Sequence, residues 1–333
     1  MTARLDDRWS YDGLPLIRLE NEHISADLLP TMGGKVLHLV DKAGDRNVLW
    51  RNPRVAVRPG PIGANADDYF AGGWDDAFPT GDACTNERGE QLPYMGEVWN
   101  LAMRGEVRSA GPDEVAVAFE AETPITPARI TRTVSLAAGE PILRVTTRLE
   151  NVGALPFEFC WGSHVALAIE PGMRLQVPAG HGEVTDAGAG LLGRQGQRYR
   201  YPLVDRNEAE PFDVSRVPPA SVGAHALHAL GSLRGGWAAA GHPRSRRGVA
   251  LLFDPSLHKC VWQWMAYGGF RGWYHAILEP WTAPQTSLAA ARQAGTARRL
   301  GPGEALEGQV AAILYSGLTE VDEVTADGTV RGR

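Results

Sequence analysis

The chain has 333 residues, of which 44% are hydrophobic and 22% charged, with a formal net charge of −6. That balance suits a folded protein with a sizeable core and speaks against a nucleic-acid protein, which would show a basic patch or a high isoelectric point. The basic clusters, His242 to Arg247 (HPRSRR) and Arg298-Arg299, are short enough to be solvated faces.

In chain order, the N-terminal MTARLDDRWSYDGLPL lacks the apolar segment of a secretory leader. Ser25 to Leu29 and Lys35 to Val40 read as strands around Pro30-Thr31-Met32-Gly33-Gly34, where the glycines supply unusual backbone angles. A polar hairpin loop, Asp41 to Asn47, precedes a short strand at Val48 to Trp50. Asn52 to Gln91 is rich in Pro, Gly, Asn and Asp, and long irregular loops in compact domains tend to carry function. Within it lies GGWDDAFPTGD, Gly72 to Asp82, with adjacent carboxylates Asp75 and Asp76. On an extended chain these point opposite ways, so at most one faces a given pocket. Pro93 to Asn100 (PYMGEVWN) is expected to be a strand with Glu97 and Trp99 on one side.

The clearest β signal follows. Val115 to Phe119 (VAVAF) alternates, and Arg129 to Leu136 and Leu143 to Leu149 alternate apolar and polar residues, these two joined by a turn at Ala137 to Pro141. This is a half-buried antiparallel meander. Phe157 to Trp161 and Met173 to Pro178 are strands; residues 179–236 are Gly- and Pro-rich and only weakly periodic. Val249 to Phe253, Val261 to Met265, His275 to Leu278 and Val310 to Tyr315 are strands again. Ser287 to Arg292 is the best helix candidate, with Ser287 as cap and Gly295 as stop. Thr319 to Arg333 reads as a charged, loosely held tail. No βαβ alternation occurs, so the fold class is all-β: a large antiparallel β-sandwich, expected as a single domain over residues 1–333.

Two stretches carry candidate chemistry. In WGSHVALAIEPG, Trp161 to Gly172, His164 follows a strand-like run; it is either a core histidine with a local partner or an acid/base group. In YHAILEPWTAPQTSL, Tyr274 to Leu288, Glu279 ends an apolar run, where a carboxylate is costly without a job or a partner. GAGLLG, Gly188 to Gly193, matches GxGxxG but lacks the strand and helix that a dinucleotide site needs. His258 and Cys260 could donate to a metal but form only a lone pair, and the other histidines show no ligand spacing, so neither a metal nor a cofactor is expected. Cys84, Cys160 and Cys260 are far apart, without CxxC, which fits a reducing cytoplasm. No apolar run approaches the roughly 18 residues of a membrane span. The ten tryptophans serve either as core aromatics or as platforms for ligand faces, sugar rings among them.

LLPTMGGKVLHLV, GGWDDAFPT, GEVWN, GSHVALAIEPGMRLQVP and EPWTAPQTSLAAA…LGPGEALEGQVAAIL occur in an order that resembles the aldose 1-epimerase (galactose mutarotase-like) superfamily, over roughly Leu28 to Tyr315. The resemblance implies a supersandwich fold and a small-molecule sugar substrate whose α and β anomers are interconverted. It implies Glu279 as general base on the anomeric hydroxyl and His164 as general acid on the ring oxygen, chemistry that needs no metal. Trp74, Asp76, Met95, Glu97 and, from the preceding loop, Arg54 and Arg58 are the candidate substrate-binding residues; an arginine would suit an acidic group, or else lies on a solvated loop. Many relatives carry a histidine where this chain has Met95, and a thioether donates no hydrogen bond. The alternatives are a non-catalytic carbohydrate-binding protein, or a lyase or hydrolase on the same scaffold; the latter would need a further acid or base, such as Tyr94, Tyr267 or Asp76. The sequence leaves the oligomeric state open.

Overall fold

The structure, a computed structural model, describes residues 2–188, 190–206 and 209–333, so Ala189 of the GAGLLG stretch lies outside the described residues. Strands dominate; the helices among the described residues are short, Ala66–Tyr69 and Leu288–Gln293 with a 3₁₀ turn at Ala220–Val222. None is long and apolar enough to cross a membrane. The chain divides into two compact units: Met1–His164 with Gln285–Ala311, and Val165–Pro284 with Ala312–Arg333.

In the first unit, Arg4–Tyr11, Leu14–Glu20, Ile24–Leu29, Lys35–Asp41, Trp74–Ala77 and the start of Gly162–Leu167 lie side by side in that order. A second sheet runs Arg104–Ala110, Glu114–Glu122, Ala128–Ala137, Ile142–Asn151 and the first part of Ala305–Ser316. The three alternating segments read from the sequence fall inside these strands. In Ala128–Ala137 every second residue is buried, and the buried phase is Ala128, Ile130, Arg132, Val134 and Leu136. The sheets approach closely where Phe119 meets Gly34: φ there is +63°, and a Cβ would come 2.8 Å from the ring, so only glycine serves. The predicted helix forms as Leu288–Gln293, with Ser287 Oγ accepting from the Ala290 amide at 3.2 Å.

Four expectations change. Val48 to Trp50 is not a strand: the ladder ends at Arg46–Asn47, beyond which Leu49 makes only an isolated bridge, and Asn47 Oδ1 accepts from the amides of both Leu39 (2.9 Å) and Leu49 (3.2 Å) and turns the chain. Pro93 to Asn100 is a run of turns, since Met95 and Gly96 take φ of 63° and 69° and the Gly96 amide donates to Pro93 O. The N-terminal hairpin Arg4–Tyr11/Leu14–Glu20 was not anticipated, although Asp12-Gly13, both at positive φ, is a strong hairpin turn signal. The tail forms a hairpin, Val321–Val324 with Val330–Gly332, and the Gln176 amide clamps the backbone of Val321 from both sides.

That hairpin belongs to the second unit. Its larger sheet runs Tyr274–Trp281, Cys260–Tyr267, Ala224–Gly231, His181–Asp186 and Arg198–Arg200. Its other sheet runs Arg174–Gln176, Trp237–His242, Arg247–Phe253 and the end of Ala305–Ser316. Three of these strands come from residues 179–236, where short segments pair with partners distant in sequence and leave little local periodicity.

Between the sheets of the first unit, Asp76 accepts from Thr147 Oγ1 at 3.0 Å and pairs with the Arg132 guanidinium at 2.6 Å, with Arg132 fully buried. Replacing Arg132 with Met leaves this carboxylate charged and unpaired, which should cost about 3–5 kcal/mol. The double variant R132M/D76N should recover part of that loss. Urea unfolding of the wild type, R132M, D76N and the double variant checks the coupling; a double-variant loss equal to the sum of the two single losses would show that the pair contributes nothing.

Candidate active site

The Trp74–Ala77 strand is buried throughout, and its alternation sorts two functions onto two faces. Trp74 and Asp76 face inward. The Trp74 indole donates to Ser163 Oγ at 2.7 Å, Ser163 donates to Asp76 Oδ1 at 3.2 Å, and Arg132 lies 5.8 Å from the Trp74 ring centroid. Asp75 turns the other way. There it meets His164, which alternates with Ser163 on the Gly162–Leu167 strand in the same manner.

Asp75 divides its two oxygens between two partners. Oδ2 lies 2.6 Å from Lys35 Nζ and Oδ1 lies 3.0 Å from His164 Nδ1. Lys35 also donates to Gly72 O at 3.1 Å. Burial pushes the Asp75 carboxyl up, but the Lys35 charge and the His164 hydrogen bond outweigh it and hold it at about 2. An ionised carboxylate only accepts, so Nδ1 carries the proton and Nε2 is the nitrogen through which this imidazole exchanges protons. Phe70 stands edge-on to the ring at 5.1 Å, fixing its plane from the side. The result is an oriented histidine backed by an anion, itself anchored by a buried cation.

The other predicted residues of this unit lie in varied settings. Glu97 is buried and accepts from the amides of Ile125 (2.6 Å) and Thr126 (3.1 Å); burial shifts its pKa upward against those bonds, and its visible work is to hold the 125–126 turn. Met95 is half-buried in its left-handed turn. Arg54 and Arg58 are exposed, and Arg58 lies over the Tyr69 ring, 5.1 Å from its centroid.

Glu279 belongs to the second unit, near the end of Tyr274–Trp281, and is buried. Trp281, two residues on, donates from Nε1 to Glu279 Oε2 at 2.8 Å. Trp262 is the cross-strand neighbour of Glu279 and stacks on Trp281 with centroids 4.0 Å apart. A carboxylate so framed by two indoles is held in one orientation on a rigid strand.

Lys35 and Asp75 were not singled out as site residues in the sequence. Lys35 left a signal: a lysine that opens the apolar strand run KVLHLV is buried only against a counter-charge. Asp75 was visible as one of two carboxylates, with nothing local to say which faces the histidine.

An acid whose folded pKa lies below its ordinary 3.8 stabilises the fold above that pH and ceases to do so as pH falls toward 2. Thermal midpoints measured between pH 5 and about 2 should therefore fall less steeply for D75N than for the wild type. Parallel curves would show that Asp75 is not held ionised by its neighbours.

No protein-family model and no curated protein matches this chain. Solved structures do resemble it. A candidate aldose 1-epimerase from Klebsiella pneumoniae is 16% identical with a TM-score of 0.70, over 93% of this chain and 82% of its own. A galactose mutarotase-like protein from Clostridium acetobutylicum is 15% identical with a TM-score of 0.69, over 95% and 99%. A galactose mutarotase related enzyme from Lactobacillus acidophilus is 13% identical with a TM-score of 0.61, over 90% and 97%. At these identities the likeness is one of architecture, and the chain has the all-β, antiparallel galactose mutarotase-like fold.

Proposed function

We propose that the chain is a mutarotase-type isomerase that interconverts the anomers of an aldose by general acid/base ring opening. The observation that carries this reading is the His164 Nδ1 bond to an ionised, lysine-anchored Asp75, which commits Nε2 to proton transfer. In the proposed cycle His164 gives a proton to the ring oxygen while Glu279 takes one from the anomeric hydroxyl. The C1–O5 bond breaks, the aldehyde rotates about C1–C2, and reclosure on the other face returns both protons. Lys35 keeps Asp75 from competing for the proton, and the Trp281 N–H fixes the Glu279 carboxylate. No step calls on a metal or cofactor. No disulfide joins the three cysteines among the described residues, and burial, then the neighbouring Cys84, pushes the Cys160 thiol up to about 12; unpaired by disulfides, they suit our placing the protein in the cytoplasm.

Anomer exchange of a panel of neutral, acidic and phosphorylated aldoses, followed by saturation-transfer NMR, tests the reading. E279Q should lower the exchange rate by about 10²–10⁴-fold while sugar still binds, and H164Q should do the same. Wild-type exchange no faster than buffer would overturn it.

Met95 favours a second reading, a sugar-binding protein without catalysis, because a thioether stands where many members of the superfamily that the sequence resembles carry a histidine. The left-handed backbone at Met95 accepts histidine readily. On the isomerase reading M95H folds normally and exchanges anomers faster than wild type. Saturable binding with no exchange in either protein would establish the binding reading.

A further inference from the structure

Eight of the ten tryptophans are buried. Of the other two, Trp9 is exposed on an outer strand with the Arg18 guanidinium 4.2 Å from its ring centroid. Trp264 is the exception that bears on function. It is half-buried, and the register of its strand places it on the same sheet face as Glu279. Trp262 pairs with Glu279 and Trp264 with Ile277, so the two indoles point the same way, one strand repeat apart. That repeat is about 6.8 Å, more than one pyranose ring covers and close to the step from one sugar ring to the next in a glycan.

The indole is also held still. Phe270, Trp273 and His275 pack edge-on against it at centroid distances of 5.4, 6.1 and 4.9 Å, and His275 shares its sheet face through Ala266. Phe270 comes from the tight turn between the two strands and is itself half-exposed. A rigid, partly open aromatic surface is a stacking platform that pays no ordering cost when a ligand arrives. A tryptophan wanted only for the core would be covered like the other eight.

We infer that Trp264, with Phe270 beside it, forms a second sugar subsite adjoining Glu279, so that the preferred ligand is a reducing disaccharide or longer glycan bound by its reducing end. The apolar C–H face of the second ring stacks on the indole while the reducing ring lies at Glu279. The inference rests on the sugar reading of the Glu279 face and adds the size of the substrate.

The test is calorimetric titration of the full chain with lactose, maltose and cellobiose beside galactose and glucose. At least one disaccharide should bind about tenfold more tightly than its own reducing-end monosaccharide. W264A should erase that difference, and W264F, which keeps a flat ring, should retain most of it. Circular dichroism and thermal midpoint confirm that the variants fold; should W264A not fold, W264L serves in its place. If no disaccharide outbinds its monosaccharide, or if losing the ring weakens both equally, the subsite is refuted. If the preference holds and depends on Trp264 while no sugar shows accelerated anomer exchange, the subsite stands and the isomerase reading fails.

Discussion

Two consecutive carboxylates, Asp75 and Asp76, sit on opposite faces of one four-residue strand, and each is paired with a buried cation, Lys35 on one side and Arg132 on the other. Neither pairing is cheap. Removing a charge from water costs several kcal/mol, recovered only when the partner's geometry is good and the remaining polar atoms are satisfied. Here the carboxylates have further donors, Thr147 and Ser163 for Asp76 and His164 for Asp75, while the buried Arg132 guanidinium meets Asp76 as an ion pair and makes no hydrogen bond among the described residues. The strand thus joins a structural network and a chemical one through a single peptide bond.

That coupling explains how a histidine on a buried strand keeps one orientation. Ser163, the residue before His164, is tied inward to Trp74 and Asp76, so the backbone under the imidazole is pinned from the core side. Asp75 and Phe70 then fix the ring from its own side. Preorganisation of this kind leaves the imidazole with no reorganisation to undergo when a ligand meets it. In the second unit the Trp262–Trp281 stack and the Trp281 N–H do the same for Glu279.

The architecture was legible where periodicity was strong. The hairpin of Ala128–Ala137 and Ile142–Asn151 announces itself by alternation, because each strand has one buried face and one more exposed face, while the neighbouring Glu114–Glu122 shows as an apolar run buried from Val115 to Phe119. Strands whose pairing is long-range and whose length is short, such as His181–Asp186 and Arg198–Arg200, carried no such mark. Of the candidate site, His164 and Glu279 stood out as lone polar groups in apolar runs. Lys35 and Asp75 did not, since their meaning lies in each other and they are forty residues apart. Arg132 was hidden in plain view: an arginine in the apolar phase of an alternating strand marks a buried ion pair, but the pattern names no partner.

The adjacency of Asp75 and Asp76 also governs how the chain can be seated. Slide the Trp74–Ala77 strand by one residue in either direction and one carboxylate still meets a cation. The other cation then faces Ala77 or Trp74 and is left buried without a counter-ion. The pair of charges therefore acts as a two-sided key that rejects both neighbouring alignments, a safeguard that a strand of only four residues could not obtain from backbone pairing alone. Insertions and deletions are correspondingly tolerable in the loop before Gly72 and disfavoured from there to Ala77, where a single extra residue would misplace the histidine's anion and the core's together.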